Sequence, residues 1–364
     1  MEKISVDFLG IEITRKCNLM CIHCMRGDAE NIDIEYAYIV RLFSMIESIN
    51  RLFITGGEPS MNLSGLRIIC EEVKKNHIKL NELNITSNGY GDNMDEYFMI
   101  LKELQSLCIY PERSQISISV DQYHGNREER KYNISDSYKR YFKYKYQYPE
   151  LNIIMNDNAN HQVKALGRAA HNIPKAKSFP IANFPIIYYE GIYQQLYMNA
   201  NGYLGVYQDC TYQEEDEQHN QLSFNILDIR TVKDLKNSIE EWNSRKDVKI
   251  RGTLIYLSNR INASCMPCKH YVDAYPKLVN MINDIIMSDD FQQLPIEEKT
   301  ELLNYLKWYR HKRNVTRETV RGFNDICPWW IINPPVTGSF EPLKRIYNNV
   351  RNTICKTSVE KNKF

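Results

Sequence analysis

Three cysteines lie close together near the start of this chain, in the segment Cys17-Asn18-Leu19-Met20-Cys21-Ile22-His23-Cys24. The segment follows Ile4–Ile13, where apolar residues alternate as they do in a β-strand. Thiolates at this spacing converge on one object, most naturally a metal centre, and cysteines are the standard ligands of iron–sulfur clusters. A cubane cluster has one more iron than these cysteines can bind, so one iron would stay open to a small molecule.

Zinc is the competing interpretation of the same loop. Structural zinc sites usually take their ligands from two spaced pairs, whereas this loop offers an odd third cysteine. His23 is a potential fourth ligand, although its neighbour Cys24 already occupies that direction. A cluster of ordinary buried thiols is not favoured, because the nearby Lys16, Asn18 and His23 do not form a core pattern.

The first half of the chain alternates strand-like and helix-like patterns. Short apolar runs predict strands at Arg51–Thr55, Leu83–Thr86, Ile116–Val120 and Leu151–Met155. Apolar stripes at helical spacing predict helices around Tyr36–Ile46, Leu66–Val73, Tyr97–Cys108 and His161–His171. Repeated units of this kind imply a parallel sheet with right-handed crossovers. We therefore expect an α/β fold, a partial (β/α)6 TIM-like barrel whose chemistry lies at the C-terminal ends of its strands.

The pattern changes after about residue 175. Leu196–Met198 and Tyr203–Val206 flank Asn201-Gly202, which predicts a β-hairpin. From about Asp273 onward the chain has a helical pattern. We expect three regions: a barrel core at 1–180, a hairpin and cysteine-containing extension at 181–272, and a helical C-terminal region at 273–364.

The composition excludes several classes of protein. Lys and Arg number 46 against 45 Asp and Glu, which gives no electrostatic case for a dedicated nucleic-acid binder. A hydrophobic content of 43% excludes disorder as the main state. No apolar run is long enough for a membrane span, and Met1–Gly10 lacks a signal-peptide pattern. We therefore expect a cytoplasmic protein that does not bind a membrane, with ten cysteines that are thiols or metal ligands rather than disulfides.

The loop Cys17–Cys24 resembles the cluster motif of the radical SAM superfamily. Gly56-Gly57-Glu58-Pro59, at the end of the second predicted strand, resembles the GGEP motif of the same superfamily. Two motifs in the right order, each at a strand end, are much more specific than either alone. The resemblance covers about residues 4–175 and does not identify a substrate.

The resemblance implies a function for the cysteine loop. Cys17, Cys21 and Cys24 would bind a [4Fe-4S] cluster, and the amino and carboxylate groups of S-adenosylmethionine (SAM) would chelate its remaining iron. An electron from the reduced cluster would cleave SAM to methionine and a 5′-deoxyadenosyl radical, which abstracts a hydrogen atom from the substrate. His23 stands where the family usually has an aromatic residue against adenine.

The resemblance also implies contacts to SAM from the later strand ends. Gly56 and Gly57 would leave room for close approach of the backbone, Glu58 would accept a hydrogen bond from the SAM ammonium, and Pro59 would stiffen the loop. The remaining residues with an implied SAM contact are Asn88, Ser119 and Asp121. His124 is a candidate for substrate contact, and Gly167-Arg168-Ala169 has the position of a fifth-strand contact, although the sequence favours a simple helix there.

A second cysteine set lies beyond the barrel core, at Cys210, Cys265 and Cys268. It resembles the shortened auxiliary-cluster extensions of several radical SAM families, the twitch type, related to SPASM, which usually offer more cysteines. A possible second [4Fe-4S] cluster would therefore need another ligand, for which Asp209, His219, His270 and Cys327 are candidates. The alternatives are a structural zinc site, ordinary reduced thiols or a redox-active dithiol.

The resemblance implies partners as well. A flavodoxin or ferredoxin would supply the electron, and the hairpin with its cysteines favours a peptide or protein substrate. A small molecule or nucleoside is the alternative substrate. A zinc-bound interaction module without catalysis is the alternative from a different functional class.

Overall fold

The computed structural model describes residues 2–120, 123–124, 134–156, 166–173, 183–189, 191–206, 210–222, 224–256, 282, 284–300 and 302. The chain divides into two compact units. The first comprises Met1–Ile181 and Ile186–Trp242, and the second comprises Ala182–Pro185 and Asn243–Phe364.

One mixed sheet forms the centre of the first unit. Its strands are β1 (Ile4–Glu12), β2 (Ile46–Thr55), β3 (Lys79–Ser87), β4 (Gln115–Ser119), β5 (Ile153–Asn156), β6 (Tyr188–Tyr189), β7 (Ile192–Met198), β8 (Tyr203–Gly205) and β9 (Phe224–Asn225). Their order is β5-β4-β3-β2-β1-β7-β8-β9, and β6 pairs with β7. Strands β1 to β5 are parallel neighbours, and β7 is parallel to β1. The predicted α/β class with a largely parallel sheet is confirmed.

A helix follows each of the strands β1 to β5. The helices are α1 (Tyr36–Ser44), α2 (Leu63–Lys75), α3 (Met94–Ser106), α4 (Ile134–Gln147), α5 (Gly167–Asn172), α6 (Tyr212–Leu222), α7 (Val232–Ser244) and, in the second unit, α8 (Asp289–Gln292). The helix predicted over His161–His171 begins only at Gly167, because the backbone of Leu166 is extended, and α6 and α7 were not predicted. Asparagine caps begin two of the helices: the Asn62 side chain accepts from the Gly65 amide at 2.9 Å, and the Asn93 side chain accepts from the Glu96 amide at 3.3 Å.

The boundary between α1 and β2 differs from the prediction. The apolar stripe predicted a helix up to Ile46, but α1 ends at Ser44 and β2 begins at Ile46. Ile46 pairs with Ile4 in the parallel ladder, and the Met45 carbonyl accepts from the Ile4 amide at 2.8 Å. Because Ile46 pairs with β1, it belongs to β2 and not to α1, and β2 is longer than the predicted Arg51–Thr55.

One face of the neighbouring strands β1 and β2 packs in the core. Leu9 and Ile11 of β1 pair in register with Leu52 and Ile54 of β2, and all four are completely buried. The tyrosine-rich stretch near residue 140 packs as part of this core: in α4 the Tyr144 ring lies 4.7 Å from the Phe98 ring, measured between centroids.

The predicted hairpin forms between β7 and β8. Gly202, at φ +79°, lies in its turn, and the Asn199 side-chain oxygen accepts from the amides of Asn201 and Tyr203. Its first strand pairs with β1, so the hairpin extends the core sheet.

The domain boundaries predicted after residues 180 and 272 stay predictions.

The described part of the second unit contains a π-helical segment, Asp247–Gly252, in addition to α8. The Asn183 amide donates to the Asp247 carboxylate at 2.7 Å. A Cβ on Gly252 would lie 1.8 Å from the Asn183 carbonyl oxygen, so this close approach requires glycine. Among the described residues, no helix is both long and apolar enough to cross a membrane.

Candidate functional site

A cavity of about 370 Å³ lies at the C-terminal ends of β1 to β4. Parallel strands present these ends at one edge of their sheet, so residues distant in sequence meet there. Its lining includes the following predicted site residues: Cys17, Cys21, His23, Cys24, Gly56, Gly57, Glu58, Asn88, Ser119 and His124. Pro59 is buried beside the cavity but does not line it. Asp121 lies outside the described residues.

The cysteine loop forms one wall of this cavity. Cys21 is buried, and Cys17 and Cys24 are partly exposed. The Cys24 amide donates to the Cys21 carbonyl at 3.2 Å, which turns the chain between these two thiols. Burial raises the pKa of Cys17 to about 11. The protein alone therefore keeps this thiol protonated at neutral pH, and binding of a metal would release its proton.

The donor set fits an iron–sulfur cluster. Cys17, Cys21 and Cys24 line one cavity. Cysteine thiolates are the standard ligands of such clusters, and three of them would leave one iron of a cubane open.

The glycine pair after β2 allows close approach of the β1 end. The Gly57 amide donates to the Thr14 carbonyl at 2.8 Å, and the Glu58 amide donates to the Lys16 carbonyl at 2.7 Å. A Cβ on Gly56 would lie 2.4 Å from the Thr14 oxygen, and a Cβ on Gly57 would lie 2.3 Å from the Lys16 oxygen. The predicted close approach of the backbone therefore occurs at this pair, and the approaching backbone is the segment that leads into the cysteine loop. The contact of these glycines with SAM stays a prediction.

The Glu58 carboxylate joins the ends of β2 and β3. It is 1% exposed and accepts three hydrogen bonds: Oε1 from the Ser60 amide at 3.0 Å and the Ser87 hydroxyl at 2.7 Å, and Oε2 from the Asn88 amide at 2.7 Å. Pro59 begins the short 3₁₀ turn Pro59–Met61 that this carboxylate caps. The carboxylate lines the cavity with acceptor capacity left on Oε2, because an ionised carboxylate can accept about four hydrogen bonds.

The Asn88 side chain links β3 to the cysteine loop. Its Nδ2 donates to Asn18 Oδ1 at 2.9 Å, and its Oδ1 accepts from the Tyr90 amide at 2.8 Å. Asn18 Nδ2 in turn donates to the Tyr90 carbonyl at 2.6 Å. The amide that the sequence assigned to SAM therefore also orients the segment between Cys17 and Cys21. Ser119, at the end of β4, lines the cavity and is 3% exposed.

An aromatic group lies on the wall next to Cys24. The His23 ring is 5.2 Å from the Tyr123 ring and 4.7 Å from the His124 ring, measured between centroids. His23 and His124 both line the cavity. The structure thus brings together two residues that the sequence could only propose separately.

Sequence reasoning missed the role of α5 in holding the cysteine loop. The Arg168 amide donates to the Cys24 carbonyl, and its Nε donates to the Cys21 carbonyl, both at 2.9 Å. Its guanidinium also pairs with Asp28 at 2.8 Å. The helix that the sequence favoured at Gly167-Arg168-Ala169 is confirmed as α5, and the SAM contact stays a prediction, but nothing in the sequence reveals these backbone acceptors.

A buried ion-pair network next to the loop was also missed. Arg15 is completely buried, and its guanidinium contacts four carboxylates, those of Glu12, Glu30, Glu215 and Asp216, at 2.7–3.2 Å. Burial alone would lower the pKa of Arg15, but the hydrogen bond to Asp216 and the other carboxylates raise it above its ordinary value. Arg15 thus stays charged and ties the end of β1 to α6. The only sequence signal is its position just before Cys17.

Arg26, just after the cysteine loop, contacts Cys210. Arg26 Nη1 donates to the Cys210 carbonyl at 2.9 Å and lies 3.4 Å from its Sγ. Cys265 and Cys268, which the sequence grouped with Cys210, lie outside the described residues. Burial raises the pKa of the Cys210 thiol to about 11.

Comparisons with known proteins agree with this geometry. Residues 11–146 match the family model "Radical SAM superfamily". This part of the chain is therefore similar to the radical SAM superfamily, a superfamily of enzymes. The chain is 40% identical over 91 residues to the GTP 3′,8-cyclase of Clostridium acetobutylicum, and the match covers 23% of this chain and 28% of that enzyme. It is 30% identical over 92 residues to the GTP 3′,8-cyclase of Petrotoga mobilis, covering 23% and 28%. The matches thus span little more than a quarter of these relatives.

Solved structures similar to this chain match it at low scores. "Native anSMEcpe with bound AdoMet and Cp18Cys peptide" has a TM-score of 0.37 and 14% identity, and the match covers 76% of this chain and 99% of that one. Streptococcus suis SuiB bound to its precursor peptide SuiA has a TM-score of 0.28 and 14% identity, covering 65% and 64%.

Proposed function

We propose that this chain is a SAM-cleaving enzyme whose [4Fe-4S] cluster is held by Cys17, Cys21 and Cys24. The observation that carries this proposal is that the three thiols line one cavity with the ends of β2, β3 and β4. When bound, the cluster supplies the electron that splits SAM into methionine and a 5′-deoxyadenosyl radical, which removes a hydrogen atom from the substrate.

The protein's own side chains bind and orient the reactants. Glu58 presents a fixed carboxylate that can accept a hydrogen bond from the SAM ammonium, because three protein donors already hold it in place. Ser119 offers a buried hydroxyl on the same cavity. Asp121, outside the described residues, is proposed as a further SAM contact.

The direct test is anaerobic purification followed by iron and sulfide analysis and by measurement of 5′-deoxyadenosine. Wild type should bind iron and cleave SAM, and a Cys17→Ala/Cys21→Ala/Cys24→Ala variant should not cleave it. Cys70→Ala is the matched control, because Cys70 lies in the core on α2, away from the cavity. Stoichiometric zinc without iron, in protein from iron-replete oxygen-free cells, would instead favour the interaction module without catalysis.

A second [4Fe-4S] cluster on Cys210, Cys265 and Cys268 is part of this proposal. The burial of Cys210 and the positive charge of Arg26 near its sulfur support it, because a neighbouring cation favours a thiolate ligand. About four irons per chain should remain in the triple variant of the cysteine loop if the second cubane exists. A folded triple variant without iron would contradict it.

We propose a peptide or protein as the substrate. Tyr212 follows Cys210 and lines the same cavity as the cysteine loop, so the region beyond the first five strands contributes to the wall that a substrate would meet. The expected partner gene encodes a small precursor next to the gene of this chain. Formation of 5′-deoxyadenosine should rise when that peptide is added.

A nucleotide is the second candidate substrate, favoured by the GTP 3′,8-cyclases among the relatives. Adding GTP in place of the peptide distinguishes the two candidates. Stimulation by GTP alone, with consumption of the nucleotide, would establish the second candidate and contradict the first.

A flavodoxin or ferredoxin is proposed as the electron donor. Met20 and Ile22 of the cysteine loop are 45% and 37% exposed, so the loop reaches the surface where a donor could approach. Reduced flavodoxin should support SAM cleavage in place of dithionite. Cleavage that responds to dithionite alone would contradict this assignment.

A further inference from the structure

Arg26 lies two residues after the last cysteine of the loop and contacts three other parts of the chain. Its Nη2 donates to Glu12 Oε1 on β1 at 3.0 Å and to Glu215 Oε2 on α6 at 2.7 Å. Its Nη1 donates to the Cys210 carbonyl at 2.9 Å and approaches Cys210 Sγ at 3.4 Å. One guanidinium therefore joins β1, the segment carrying Cys210 and α6 directly behind the cysteine loop.

Arg26 is also joined to Tyr212, by a backbone hydrogen bond and by a contact with the aromatic ring. The Tyr212 amide donates to the Arg26 carbonyl at 3.0 Å. The Arg26 guanidinium carbon lies 4.4 Å from the centroid of the Tyr212 ring, and that of Arg15 lies 4.7 Å from the same centroid. The ring is thus held by two cations, and it lines the cavity into which Cys24 faces.

Burial makes these contacts strong and specific. The Arg26 side chain is 11% exposed, and its Glu12 and Glu215 partners are 2% and 13% exposed. Charge-assisted hydrogen bonds in such surroundings are stronger than at the surface, and a missing partner leaves a buried charge unmatched. Only the planar guanidinium reaches a carbonyl, a sulfur and two carboxylates at once, so lysine cannot replace it fully.

We propose that Arg26 is a positioning residue that couples Cys210 to the cluster-binding loop, so that a change at Cys210 reaches Cys17, Cys21 and Cys24 through Arg26. This inference rests on the proposed function, because its consequence for chemistry is the placement of the cluster relative to SAM. It also holds for the iron-free protein, where the same contacts order the loop.

Alkylation of the iron-free protein tests the coupling independently of catalysis. Arg26→Gln and Cys210→Ala should each make the thiols of Cys17, Cys21 and Cys24 react several-fold faster with iodoacetamide, measured for each residue by mass spectrometry, because the loop opens more often. The double variant should react no faster than Arg26→Gln alone. Arg51→Gln is the matched control, because Arg51 forms its own ion pair, with Glu82, and does not line the cavity.

Spectroscopy and turnover then test the loaded enzyme. In a Cys265→Ala/Cys268→Ala background, where the proposed auxiliary cluster cannot form, Arg26→Gln and Cys210→Ala should still alter the electron paramagnetic resonance spectrum of the reduced, SAM-bound cluster. Each should lower the rate of SAM cleavage by about tenfold, the usual scale for losing a group that supports metal ligands. Arg26→Lys should recover part of the rate because it keeps the charge.

The outcomes separate this inference from the proposed function. Arg26→Gln with unchanged alkylation rates and an unchanged spectrum would overturn the inference, as would a double variant whose effect is the product of the two single effects. If Arg26→Gln does not fold, the same comparison of Arg26→Lys, Cys210→Ala and their double variant decides. Wild type that binds no iron would overturn the proposed function. The alkylation rates of the iron-free protein would still test the coupling through Arg26.

Discussion

The amide nitrogen of Arg168 lies 2.9 Å from the carbonyl oxygen of Cys24 and donates a hydrogen bond to it. This contact holds the last cysteine of the loop against the start of α5, 144 residues further along the chain. The preceding Gly167 has φ +51°, and a Cβ there would lie 2.6 Å from the carbonyl oxygens of both Cys24 and Met25. The glycine therefore permits the approach that orders the cysteine loop.

We expect Gly167→Ala to disrupt iron binding, because the added methyl group must push the loop away. Iron content after anaerobic reconstitution measures the effect. Gly191→Ala is the control: Gly191 also has a positive φ, of +87°, but a Cβ there would meet nothing within 4 Å. The control should lose about 1 kcal/mol of stability from backbone strain and keep its iron. Equal iron content in the two variants would contradict the prediction.

Glu58→Gln should destabilise the protein by about 1–3 kcal/mol even without a cluster. Glutamine offers one acceptor oxygen in place of two, so either the Asn88 amide or the Ser60 and Ser87 donors lose their partner. Urea unfolding of the iron-free protein measures the change. Glu103→Gln, at a surface pair with Lys74 that is about half exposed, should change stability by less than ~0.5 kcal/mol. If Glu58→Gln changes the free energy of unfolding as little as Glu103→Gln does, the Glu58 carboxylate does not stabilise the ends of β2 and β3.

Tyr144→Phe should lower the free energy of unfolding by about 1 kcal/mol. The Tyr144 hydroxyl donates to the Gly89 carbonyl at 3.1 Å, at the end of β3, and the residue is 5% exposed. Removing the hydroxyl leaves that buried carbonyl without this donor. Tyr146→Phe on the same helix is the control, since Tyr146 is 79% exposed and should be neutral within about 0.5 kcal/mol. Equal effects in thermal or urea unfolding would refute the assignment.

Stability should fall in alkali partly because of Cys70. Burial raises its pKa to about 12 from an ordinary value of 9.0. The folded state therefore keeps the proton that the unfolded chain releases, so the contribution of Cys70 is complete below pH 9 and is lost as the pH rises from 9 toward 12. Cys70→Val should unfold with a shallower pH slope than wild type, by up to ~1.4 kcal/mol per pH unit. Parallel slopes for the iron-free proteins in urea would show that Cys70 does not titrate in this way.

Local sequence patterns were enough to predict the α/β class, the resemblance to the radical SAM superfamily and the strand ends that carry the cysteine loop and Gly56–Pro59. These features are local. Alternation and helical spacing predict the elements, and both motifs can be recognised from their residue spacing without knowing the fold. The β7–β8 hairpin was predictable for the same reason, since Asn201-Gly202 suits a tight turn whatever surrounds it.

The groups that support the site could be identified only from contacts in the folded chain. Gly57 is required by the carbonyl of Lys16, Asn88 orients Asn18, and Arg168 holds Cys21 and Cys24. The pairing of β7 with β1 and the burial of Arg15 among four carboxylates also depend on contacts between distant segments. Such contacts are set by packing rather than by local propensity, so no pattern in the linear chain reveals them.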